Sequence, residues 1–311
     1  MKDTRTLVRA RKILNKKTVS RLLLNIFRLV FIVGICFTIL YPILTKISMS
    51  FMDEIDLYDR TVKAIPKHFT PENYLEAAVY IKYGNILFNT IFISAMTAIL
   101  QAVSCVLVGY GFARFKFKGR GIIFSLVVLC MVIPTQVILT PQYLNFKAMG
   151  MLGSFAPFIA LSVTAVAPRC GLYIFLARQF FRGIPKEVDE AAAIDGAGPY
   201  KTFFTIMVKS AVPIMVTIFL FAFVWQWGEN TYSSLFYSNF ETIAKTLDNL
   251  GYALADLTQT GSSILSLASQ IAYQSIMRAT ATLLAIIPLL VLYAFSQRFF
   301  IQSLERTGIV G

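Results

Sequence analysis

The chain has 311 residues, 57% of them hydrophobic and only 14% charged, against roughly 25% charged for a soluble domain, so a mostly wet surface is excluded. Its formal net charge of +13 would suit a nucleic-acid binder. The bases, however, sit beside long apolar runs, which assigns them to a membrane surface and leaves no role for nucleic acid. The apolar runs are about 20 residues long, enough to cross a ~30 Å hydrocarbon layer as helix. The alternating ten-residue segments of a membrane β-barrel are absent.

Residues 1–28 hold nine bases (Lys2, Arg5, Arg9, Arg11, Lys12, Lys16, Lys17, Arg21 and Arg28) against Asp3 alone. Residues 1–21 therefore read as a cytoplasmic basic segment in contact with anionic membrane lipid. The apolar run that follows starts late, continues too long for a cleavable signal peptide and has no small-residue cleavage site. Six transmembrane helices are predicted within one domain, residues 22–305, at about 22–49, 86–109, 122–144, 155–177, 212–227 and 277–299. Residues 306–311 form a tail. Residues 51–83 carry six acids and four bases, and 228–277 carry four acids and Lys245. Between spans two and three, Arg114, Lys116, Lys118 and Arg120 stand with no acid. The positive-inside rule then puts both termini in the cytoplasm and residues 51–84 and 229–276 outside. The second outer segment contains a polar turn, Thr258 to Ser263. Cys36, Cys105, Cys130 and Cys170 all fall in predicted spans without paired spacing and read as small hydrophobes. His68 is the sole histidine, which leaves no zinc cluster and no Ser-His-Asp triad.

The cytoplasmic connection 184–205 is neither apolar enough to insert nor polar enough to be slack. Pro185 suits a first helical turn, and Glu187, Asp189 and Glu190 favour the positive end of the helix dipole. Ala191, Ala192 and Ala193 are strong helix formers with a smooth surface. Gly196 can end the helix in a left-handed conformation, and Pro199 can open another. The predicted unit is a short helix, a tight turn and a second helix leading into span five.

Glu190-Ala191-Ala192, three residues, then Gly196 resembles the EAA loop of permease subunits in ATP-binding-cassette (ABC) importers, with Ile206 where that family carries a conserved isoleucine. One departure is Val208-Lys209 where the family often has Leu-Pro. GYGFARFKFKGR (109–120), IPTQVILTPQYLNFKAMGMLGS (133–154) and LYIFLARQFFRGIPKEVDEAAAIDGAG (172–198) are similar to the carbohydrate branch, of maltose-permease type. The resemblance implies a type I importer permease fold with a coupling loop in which Glu190, Ala191, Ala192, Asp195 and Gly196 dock on an ATPase. It further implies a bacterial inner-membrane complex of this chain with a second permease in a heterodimer, two ATPase subunits and an external solute-binding protein. ATP and Mg would be bound by the ATPases, with no cofactor in this chain. Consistent with that, the chain has no G-x-x-x-x-G-K-[ST] phosphate cradle.

Sugars are held by aromatic faces and hydrogen-bonding groups, which singles out Trp225, Gln226 and Trp227 at the end of span five, with Gln136 and Gln142 beside Pro134 and Pro141. An interfacial aromatic belt and interhelical amide bonds account for the same residues. Arg169 follows Pro168 inside span four, where a charge costs ~2.5–3.5 kcal/mol and must face protein or water. A partner-permease carboxylate or an anionic substrate would compensate it. A stand-alone secondary transporter would need acids well inside a span, and none is found. A non-sugar solute is the alternative within the importer class, and an enzyme lacks a nucleophile–base pair.

Overall fold

The computed structural model describes residues 16–59, 61–257 and 264–308. Basic residues 1–15, the polar turn 258–263 and tail residues 309–311 lie outside the described residues. No strand runs through the described residues; a single isolated bridge joins Met52 to Phe69.

Helix α1 (Lys16–Ser50) leads into a connecting segment with two short helices, α2 (Glu54–Tyr58) and α3 (Asn73–Tyr80). The segment is tied down by Asp56, whose side chain is 1% exposed. It accepts from the backbone N–H groups of Lys67 and His68 at 3.0 Å each, and it meets His68 Nδ1 at 2.7 Å. Helix α4 (Tyr83–Arg114) is the axis of the molecule. It is followed by α5 (Arg120–Val132), α6 (Thr135–Ala148), α7 (Ala156–Val163) and α8 (Cys170–Gly183). Then come α9 (Glu187–Ile194), α10 (Pro199–Ser210), α11 (Val212–Trp227), α12 (Thr231–Phe236), α13 (Ile243–Leu257) and α14 (Ile264–Gly308).

Helices α7, α8 and α11 pack around α4, while α1 packs on α14. Small residues set the closest crossings, as expected where lipid gives helices no hydrophobic reason to associate. A Cβ on Gly109 of α4 would stand 2.5 Å from Ala177 Cβ and 2.9 Å from the Arg178 backbone N on α8. A Cβ on Gly171 would stand 2.9 Å from the Val127 carbonyl on α5. Cys105 and Cys170, widely spaced in sequence, meet in this core, with Cys105 Sγ 3.9 Å from Cys170 O. Both are buried, free thiols.

Among the described residues, three helices are individually long and apolar enough to cross a membrane: Ser20–Ser50 within α1, Tyr83–Arg114, and Gln270–Gln297 within α14. Two bent pairs raise that number to five if each is one span: α5 with α6, bent by 103°, and α10 with α11, bent by 72°. The third predicted span is thus not a straight helix. Ile133 turns extended and Pro134 has no N–H to continue the ladder. The fourth predicted span, 155–177, is two helices in series. Ala165 and Arg169 take left-handed φ of 57° and 67° on either side of Pro168, which ends α7 and restarts the chain as α8.

Candidate functional site

Two regions hold the residues singled out above. The first is the helix–turn–helix α9–α10. Three acids occupy the first turn of α9, against the positive end of its dipole. Gly196 has φ +73°, so the left-handed turn is made where only glycine enters it without strain. The turn is closed by Gly196 N–H to Ala193 O at 3.1 Å and Ala197 N–H to Ala192 O at 2.9 Å. Gly198 caps α10 in an extended conformation and Pro199 is its first residue. The middle of α10, Phe203–Met207, winds as a π-turn.

Arg114, the last residue of α4, anchors this unit. Its Nη2 donates to Ile184 O at 2.9 Å, and its Nε lies 3.1 Å from Asp189 Oδ2. The Nε–H has no aligned acceptor, so the second contact is a charge attraction and not a directed bond. Ala192 is buried, while Glu190, Ala191 and Asp195 are exposed. Sequence reasoning missed the residues that stand out furthest: Ile194 is 87% exposed and Tyr200 84%. Their signal was present, as bulky apolar side chains on either side of the turn.

The second region lies where α4, α7 and α11 meet. Thr90, Ser94, Thr97, Gln101 and Ser104 recur at three- and four-residue spacing on α4, forming one polar stripe, and all are buried. Ser104 Oγ donates to Ser162 O on α7 at 2.6 Å. Gln226 is 9% exposed and its Nε2 has no hydrogen-bond partner. It borders a cavity of about 20 Å³ with Thr97, Gln101, Ser162, Glu229 and Tyr232, large enough for one water. Arg169 lays its guanidinium 3.3 Å from the centroid of the Trp225 ring, a stack that offsets part of the charge. Among the described residues no carboxylate pairs with it. Gln142 accepts from Tyr232 Oη at 3.1 Å, and Gln136 is exposed near the start of α6.

Trp227 departs from the expectation of a pathway residue. It is 4% exposed, and its Nε1–H donates to Ala285 O on α14 at 3.2 Å. Its polar atom is spent joining α11 to α14. Only Trp225, 41% exposed, presents its ring.

This all-helical arrangement is the fold of an ABC importer permease. The crystal structure of a bacterial ABC transporter involved in the import of the acidic polysaccharide alginate matches it with a TM-score of 0.72, covering 90% of this chain and 98% of that one at 20% identity. The chain belongs to the family of binding-protein-dependent transport system inner membrane components, matched over residues 105–306. It is 30% identical over 247 residues to the melibiose/raffinose/stachyose import permease protein MelC of Bacillus subtilis, covering 79% of this chain and 83% of that one. It is 26% identical over 284 residues to the arabinooligosaccharides transport system permease protein AraQ of Halalkalibacterium halodurans, covering 89% and 93%. Such a component is a membrane transport subunit and performs no catalysis itself.

Proposed function

We propose that this chain is the permease subunit of an ATP-driven bacterial importer for a sugar or short oligosaccharide, forming half of the translocation pathway. The observation that carries the coupling role is the exposed turn at Gly196, flanked by Ile194 and Tyr200 and tethered to α4 through Arg114. An element tied to its bundle on one side and presenting two bulky apolar side chains among charges on the other is built to fit a groove in another protein. Glu190 offers that partner a charge, and the Ala191–Ala192 surface permits close approach. The sugar class rests on the transport substrates named for the relatives and on the sequence stretches of carbohydrate-permease type.

In this reading the chain crosses the membrane six times, with α7 and α8 in series forming the fourth crossing and both termini in the cytoplasm. It pairs with a second permease. Two ATPase subunits bind ATP and Mg, and an external binding protein delivers the solute. A loaded binding protein has differential affinity for one state of the permease pair, which is what allows it to shift the equilibrium. The test is biochemical. The purified chain alone should neither hydrolyse ATP nor bind it saturably. The assembly with its ATPase should hydrolyse ATP, faster when sugar-loaded binding protein is added. Saturable nucleotide binding by the isolated chain, or stimulation by a non-sugar solute only, would overturn the reading.

A further inference from the structure

A cavity of about 630 Å³ opens between the α4–α5 connection and the helix–turn–helix. At ~30 Å³ per water that is space for far more than an ordered solvent molecule. Arg114, Lys116, Arg120, Arg182 and Lys186 line it, against two carboxylates, Asp189 and Glu190. Asp189 is already engaged by Arg114. Lys116, Arg182 and Lys186 form no ion pair among the described residues, so the cavity holds uncompensated positive charge contributed by three separate elements.

The surplus extends beside it. Arg178 lies one turn before Arg182 on the same helix. Its Nε is buried without a partner while its ring-facing side rests 3.9 Å from the Phe124 centroid. Cations held together in this way call for an anion.

The depth of the cavity identifies which anion. It lies where α4 ends at Arg114 and α5 begins at Arg120. Phe115 and Phe117, 46% and 45% exposed, alternate there with Lys116 and Lys118. Exposed aromatic rings alternating with long bases are the composition of a headgroup layer, with rings at the acyl boundary and ammonium groups reaching to phosphate.

We propose that this cavity binds the phosphate of an anionic phospholipid headgroup, gripped between Lys116 of the α4–α5 connection, Arg182 at the end of α8 and Lys186 at the start of α9. Bound there, the lipid bridges the membrane ends of two crossings to the start of α9, and adds to the Arg114–Asp189 tether. The proposal rests on the membrane orientation given above and not on the identity of the solute.

The assembled transporter, in mixed micelles with phosphatidylglycerol or phosphatidylcholine, would be examined by native mass spectrometry and lipid titration. Wild type should retain phosphatidylglycerol in preference to phosphatidylcholine. The double variant Lys116→Gln/Arg182→Gln should bind phosphatidylglycerol about fivefold more weakly for each base removed, about 25-fold in all, with its subunits still together. Lys63→Gln, in the outer segment, should change nothing. Equal retention of the two lipids, or unaltered affinity in the double variant, overturns the proposal. Displacement of phosphatidylglycerol by millimolar inorganic phosphate makes it a free-anion site and overturns the lipid assignment. Loss of the ATPase from the double variant means that an acidic protein surface occupies the cavity, which overturns it equally.

Discussion

Gly196 allows the coupling assignment to be tested in graded form. An added Cβ there meets nothing within 4 Å, so any substitution acts through backbone conformation and not through a clash. Its φ of +73° costs an L-residue about 1–2 kcal/mol, which Asn lowers by local hydrogen bonding. Proline is fixed near φ −65° and has no N–H for Ala193 O, so it cannot form this turn, at about 3 kcal/mol or more. If docking needs the turn, apparent affinity for the ATPase falls with the population of the competent conformer. The predicted order is Gly tightest, then Asn, then Ala weaker by roughly five- to thirtyfold, then Pro weaker by more than about 100-fold. The assay is ATPase binding to the permease pair in nanodiscs, with thermal unfolding of the membrane bundle as control. Unfolding should be unchanged across the series. An alanine or proline variant that binds as wild type, with the bundle intact, would refute docking through this turn.

Arg169→Gln removes the charge and keeps a hydrogen-bonding head; it should lower the yield of the two-permease complex equally with and without substrate. Intact assembly combined with loss of uptake of a charged sugar only would show instead that Arg169 reads substrate. Cysteines placed at Lys63 and at Ile194, with Cys36, Cys105, Cys130 and Cys170 replaced, should divide by side: Lys63→Cys labelled by an impermeant reagent from outside, Ile194→Cys from inside. The reverse pattern would make the coupling assignment impossible. In the segment between α1 and α4, burial pushes the pKa of Asp56 up, but the His68 N–H and ring and the Lys67 N–H outweigh it, and the net shift is below the ordinary 3.8. A depressed carboxyl stabilises fully above the unfolded value and loses its contribution as pH falls through the folded one. Hydrogen-exchange protection of the Lys67 and His68 backbone N–H groups, corrected for the intrinsic pH dependence of exchange, should therefore hold down to about pH 4 and fail below it, and Asp56→Asn should abolish that dependence; protection that declines steadily from pH 7 would contradict it.

The apolar runs were legible because a membrane demands length and composition, and both are averages over many residues. The turn at Gly196 was legible for the opposite reason, since one glycine and one proline suffice to specify it. What lay between these scales was hidden. A hydropathy window spanning 155–177 reads the same whether or not Ala165 and Arg169 adopt positive φ. The same averaging masks the kink at Pro134 and the stripe from Thr90 to Ser104, whose small polar side chains barely alter a window mean. Trp225 and Trp227 share a residue type and a place in sequence, and only the two helical steps between them, about 200° around the axis, send one ring outward and the other against Ala285.

The contact at Gly109 also bears on motion. At Gly109, α4 and α8 touch through backbone and a single methyl group, so the crossing there leaves no room for a side chain. Helix α8 passes into α9 within three residues, and Arg114 ties α9 back to the end of α4. The end of α4, α8 and the start of α9 are thus joined in one loop of contacts. Under the coupling role proposed above, a pull on the Gly196 turn would reach the Gly109 crossing along that loop. Any residue larger than glycine at 109 would force the crossing apart.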